Sequence, residues 1–215
     1  MGNLVFLETN RIDSEPFTTS KVVAEATGVS HRYVKKQIVT RKKQLETFGL
    51  LVAYATESTG GRPEEIFRLN EQQATLLITF LKNTSVVVAF KTELVRQFFL
   101  MREELSLRKE YRVDRKPIHR SLTDALKEKG ISSDSWSYKH HINLAYKTAI
   151  GKTAAQLRKE RGAPQKAKAI DYMTAEEIFA STKAENQIAV LVELGMDYAQ
   201  VKMMLSNSKT VSLTA

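Results

Sequence analysis

Cysteine is absent from all 215 residues. Disulfides and thiolate metal sites are therefore excluded, and a reducing compartment is the default. Long apolar runs are also missing. The longest, LLVAYA (50–55) and VVVAF (86–90), fall far short of the ~20 residues that cross a bilayer. The opening MGNLVFLETN lacks the basic and apolar blocks of a secretory signal, so a soluble cytoplasmic protein without membrane contact is expected. Catalytic patterns are scarce as well. Gly60–Gly61 is not followed by the Gly-Lys-Ser/Thr of a phosphate loop. HHINLAY could begin a His-Asn-His nuclease core, but histidine occurs only at 31, 119, 140 and 141, so no later metal-binding histidine follows. No Ser/His/Asp set sits in a recognisable motif, and Glu64–Glu65 reads as charge balance in a basic hairpin. The expectation is no enzyme, no cofactor and no metal.

Positive charge is what the chain has in excess. The net charge is +9 and the pI about 9.6, which favours a polyanionic partner. The excess is uneven. Residues 115–168 hold 13 basic and 4 acidic side chains, whereas 169–215 hold 3 and 6.

Local signals order the first half. Thr18 or Thr19 can cap a short helix with Val22, Val23 and Ala26 on its apolar side. Gly28 suits a tight turn. Ser30 can cap a second helix over 31–48, with Val34, Ile38, Leu45 and Phe48 on one face. Two strand-like runs, 50–57 and 64–69, flank a Gly- and Pro-containing turn. Helix, turn, basic helix and hairpin is the order of a winged helix-turn-helix. Asn70 can cap a helix over 71–83, and a longer helix follows over about 85–110. Its stripe of Val87, Phe90, Leu94, Phe98, Met101 and Leu105 reads as a dimerisation face; a single long core helix in a monomer is the competing reading. The charged RKEYRVDRKP predicts a linker over 107–117. Beyond it only helices are expected, with Thr174 and Glu177 forming a capping box.

The expected fold class is thus mainly α with a small β-hairpin. An N-terminal winged helix-turn-helix with its long helix covers 1–106, the linker 107–117, an all-α domain 118–206, and a frayed tail 207–215.

Two basic sets are candidate sites. On the second helix and hairpin, His31, Arg32, Lys35, Lys36, Lys42, Lys43 and Arg62 could contact DNA. Arg32 lies in the first turn, where arginine can bridge guanine O6 and N7. Six basic residues stand against one acidic within 29–47, a bias that a merely solvated face does not usually carry. The second set is Lys152, Arg158, Lys159, Arg161, Lys166 and Lys168, behind a Gly151 turn, and it could bind nucleic acid or an acidic protein surface. Trp136 is assigned to the core. The pair His140 and His141 reads as structural, one side chain packed and one wet.

TTSKVVAEATGVSHRYVKKQI, GRPEEIFRLNEQQATLLI and FKTELVRQFFLMREEL together resemble the phage regulatory protein Rha family over residues 16–107. The apolar first hairpin strand, LLVAYAT, departs from that family's pattern. AYKTAIGKTAAQLRKERG with IDYMTAEEI is similar to C-terminal domains of phage antirepressors. The resemblance implies a prophage-encoded switch protein of antirepressor type in a bacterial host. Its partners would be double-stranded DNA, a phage repressor protein and, as a homodimer or higher homo-oligomer, further copies of itself. A pure protein-binding antirepressor that never touches DNA is the alternative.

Overall fold

A computed structural model describes residues 2–55, 63–131 and 135–211, with side chains through Ser206. Its elements are β1 (Phe6–Leu7), β2 (Pro16–Thr19), α1 (Ser20–Thr27), α2 (His31–Thr40), α3 (Lys42–Glu46), β3 (Val52–Ala55), β4 (Glu65–Asn70), α4 (Glu71–Thr79), α5 (Ser85–Glu128), α6 (Trp136–Ile150), α7 (Ala154–Glu160), a 3-10 turn (Ala169–Tyr172), α8 (Ala175–Glu193) and α9 (Tyr198–Val211). The fold is mainly helical with one small antiparallel sheet. The chain divides into two compact units. Unit 1 comprises residues 1–8 and 13–103, and unit 2 comprises 9–12 and 104–215.

In unit 1 the caps form where the sequence places them. Thr19 Oγ1 accepts from Val22 N at 3.2 Å and opens α1. Gly28 takes φ 69° after it, a conformation that costs a glycine least. Ser30 then caps α2 through Tyr33 N. Val34 and Ile38, one turn apart, are both fully buried and join Val23, Leu69, Leu77 and Phe90 in one core. Each such burial is worth roughly 1.5–3 kcal/mol, so α2 is held by its apolar side.

The hairpin expected at 50–69 is part of a larger sheet with strand order β1-β2-β4-β3. β4 is central, pairing Thr18 with Leu69 on one side and Tyr54 with Ile66 on the other. β2 adds a strand that ends on the helix cap Thr19. Asn70 closes β4 and caps α4: its Oδ1 accepts from Gln73 N at 2.8 Å, while Gln73 Oε1 accepts from Asn70 N at 3.1 Å. The same two side chains donate backwards, Asn70 Nδ2 to Phe48 O and Gln73 Nε2 to Gly49 O, both at 2.7 Å.

Several expectations are corrected. The single helix 31–48 is two helices, interrupted at Arg41, where φ is −111°. Arg41 is turned to internal use: its guanidinium lies 4.1 Å over the Phe80 ring and donates to Gln37. Phe48 lies beyond the end of α3 and is exposed. The expected linker 107–117 is helical throughout, inside α5. Pro117 cannot donate to the Val113 carbonyl, but both residues are exposed, so no core seals in that carbonyl. The supposed dimerisation stripe is spent internally. Val87, Phe90, Leu94 and Phe98 belong to the core of unit 1, with Met101 packed at its edge, and Leu105 is buried as well. Trp136 is no core residue: it is 75% exposed, its ring lying tilted against that of His140.

Unit 2 is held by two apolar clusters. One gathers Leu122, Leu126, Leu144, Ile188, Val192 and Val201, and the other Tyr146, Leu157, Ile170, Met173 and Ile178. The Thr174–Glu177 capping box forms at the start of α8. His141 is buried, with Nδ1 donating to Ser137 O at 2.8 Å; burial pushes its pKa down, against the pull of that bond. His140 is partly exposed.

Candidate functional site

The outward face of α2 is set by its inward one. Because Val34 and Ile38 point into the core, Arg32 and Lys36 project from the opposite side, one turn apart, and both are exposed. Tyr33 also shows at the surface, 40% exposed; the sequence reading left it out of the site. No acidic residue lies in the first turn of α2.

The remaining cations of this set are placed differently. His31 is turned inward. Its Nε2 meets Ser20 Oγ at 2.8 Å and its Nδ1 meets Glu64 Oε1 at 2.5 Å. Ser20 Oγ also accepts from Phe67 N at 3.0 Å, and the His31 Nδ1 proton goes to Glu64. With both ring nitrogens engaged, His31 is a positioning residue, not a base-reading one. The bond from His31 is the main reason that the Glu64 carboxyl is held below its ordinary value, against the opposing effect of burial and with help from the charges of His31, Lys21 and Lys35. Lys35 pairs with Glu65 at 3.2 Å. Lys42 and Lys43 sit on α3, exposed, with Lys42 3.7 Å from Glu46. Arg62 lies outside the described residues.

A serine, a histidine and a carboxylate in a row have the order of a nucleophilic triad. Ser20 is fully buried, so its hydroxyl can meet no substrate. The relay instead ties the start of α1, the start of α2 and the hairpin strand β4 together.

The second basic set does not form one patch. Lys152 pairs with Glu160, and Arg161 with Glu177 at 2.8 Å. Lys159 and Lys166 remain exposed. Arg158 and Lys168 line a cavity of about 380 Å³ together with Arg112, Arg115 and His119 of α5. Those three were missed because their segment reads as a linker; their spacing of three and four residues was the available signal.

Behind this cavity is a buried ion pair. Arg115 Nη2 donates to Glu185 Oε1, and the Glu185 side chain is fully buried. Arg115 also reaches His119 Nδ1 at 3.1 Å. Since arginine only donates, Nδ1 accepts there, and Nε2–H points to Tyr138 Oη at 3.2 Å. Tyr138 can then donate to Thr123 Oγ1, whose proton goes to His119 O. Tyr146 nearby is pushed up to about 12, mainly by burial, and is neutral.

Unit 1 therefore presents a basic helix beside a small sheet, and no cluster of three or more metal-ligating side chains occurs among the described residues. No described helix is long and apolar enough to cross a membrane. Residues 18–103 match the family model described as phage regulatory protein Rha. The match ends with the last residue of unit 1 and supports a phage regulatory role for that similar region; unit 2 lies outside it. No curated protein matches the chain.

Proposed function

We propose that the chain is a phage or prophage regulator of antirepressor type, acting in the lysis–lysogeny switch. Unit 1 works as a winged helix-turn-helix, with α1 and α2 as the paired helices and β3–β4 as the wing. The observation that carries this reading is the exposed Arg32–Lys36 face of α2, held outward by Val34 and Ile38. In a major groove, Arg32 would read a guanine edge, while Lys36, Tyr33 and Lys43 would contact phosphates. Unit 2 takes the repressor partner, with Lys159 and Lys166 available to an acidic surface. The active form is a homodimer or higher homo-oligomer, whose half-sites would lie about 34–36 Å apart. With the original stripe buried, the α5 side chains left for self-association in unit 1 are Val86, Val88, Phe99 and Leu100.

A second reading draws on the pairing of His31 and Lys35 with Glu64 and Glu65. Two of the cations of α2 are thereby met within the chain, which suits a pure protein-binding antirepressor. A salt series of DNA binding separates the two. With six to ten phosphate contacts, affinity falls about 10³–10⁵-fold between about 50 and 200 mM salt. Arg32→Ala should cost about 1–3 kcal/mol at its base pair, and Lys36→Ala should lower the salt slope by about one. Unchanged binding in both variants, or no salt slope, rejects the DNA reading.

A further inference from the structure

We propose that the cavity in unit 2 is a binding site for a small phosphate monoester, such as a nucleoside monophosphate or a sugar phosphate. Four helical stretches build it, with α6 supplying Tyr138, Ile142 and Tyr146. α5 supplies Arg112, Arg115 and His119, α7 supplies Arg158, and Lys168 leads into the 3-10 turn. Four permanent cations line one cavity, and no carboxylate is among its lining residues.

Two of the four are balanced from behind. Arg112 Nε donates to Asp171 at 2.8 Å, and Arg115 to Glu185. Arg158 and Lys168 have no ion pair among the described residues. The Arg115 side chain is only 7% exposed and is held in place by that bond to Glu185. Uncompensated like charges in a partly enclosed space repel one another. A dianionic phosphate would offset that repulsion, because guanidinium forks match its oxygens.

The rest of the wall defines the rest of the ligand. Ile142, Ile170 and Ala154 give apolar contact, and the rings of Tyr138 and Tyr146 offer flat surface. A volume of about 380 Å³ lies in the range for small-molecule sites. It admits a sugar or a single base with its phosphate, not a nucleic-acid strand.

Isothermal titration of the full chain tests it, using inorganic phosphate, AMP, glucose 6-phosphate and adenosine as probes. At least one monoester should bind more tightly than phosphate, and adenosine should not bind. The double variant Arg158→Ala/Lys168→Ala, the first at a half-buried and the second at an exposed position, should weaken that binding by about tenfold or more with an unchanged circular dichroism spectrum. If neither monoester nor phosphate binds at up to about 10 mM, or if the double variant binds them as wild type does, the site is not one for phosphate monoesters.

Discussion

Each unit contains a histidine facing a carboxylate, and their surroundings make them different devices. His31 meets Glu64, whose side chain is 46% exposed; His119 meets Glu185, whose side chain is fully buried. Water can take over the bonds of Glu64 when they open, so the first pair acts as a latch between α2 and the hairpin. Nothing replaces the Arg115 guanidinium at Glu185, so the second is a structural stake. The same two residue types thus set orientation in one unit and integrity in the other.

Removing the buried acid should have the largest effect. Glu185→Ala leaves the Arg115 guanidinium buried without its counter-charge and should cost about 3–5 kcal/mol, measured by urea unfolding. A loss below about 1 kcal/mol, the range of surface pairs, would erase the contrast. Arg115→Met with Glu185→Leu should recover most of the stability, since an apolar pair can replace a buried ionic one.

Ser20→Ala should act next most strongly. It strips His31 Nε2 and the Phe67 N–H of a buried partner, a loss of about 1–3 kcal/mol to be read from the stability of unit 1. Because the latch also orients α2, binding of DNA at the proposed face should weaken with it. Wild-type stability in this variant would mean that the hydroxyl joins nothing.

The smallest effect belongs to Glu64→Gln and concerns acid dependence. A carboxyl held below its ordinary value of 4.5 stabilises the fold above that value and loses this contribution as pH falls through the lower native one. The thermal midpoint of the variant should therefore decline less steeply than that of wild type as pH drops below 4.5. Parallel curves for the two proteins would remove the latch from the acid response.

What the sequence disclosed follows the range of the interaction. The caps at Thr19, Ser30, Asn70 and Thr174 were legible because each depends on a residue three positions away. The interruption at Arg41 was not, since no glycine or proline marks it and the 3.6-residue pattern runs on to Leu45. Charge misled at 107–117: a helix that turns Arg108 and Arg115 inward, each about 6% exposed, has the composition of a solvated linker. In the candidate interface, Arg32 and Lys36 could be read as outward from the positions of Val34 and Ile38. The inward turn of His31 could not, because its partners Ser20 and Glu64 lie 11 and 33 residues away.

Asn70 illustrates how much can rest on one amide. It sits where a strand stops, a helix starts and the previous helical segment runs out, and it serves all three through its oxygen, its nitrogen and its neighbour Gln73. A mutation there is three lesions delivered by one codon. Substitutions at this position should accordingly be far less tolerated in living populations than its half-open place on the surface would lead one to guess.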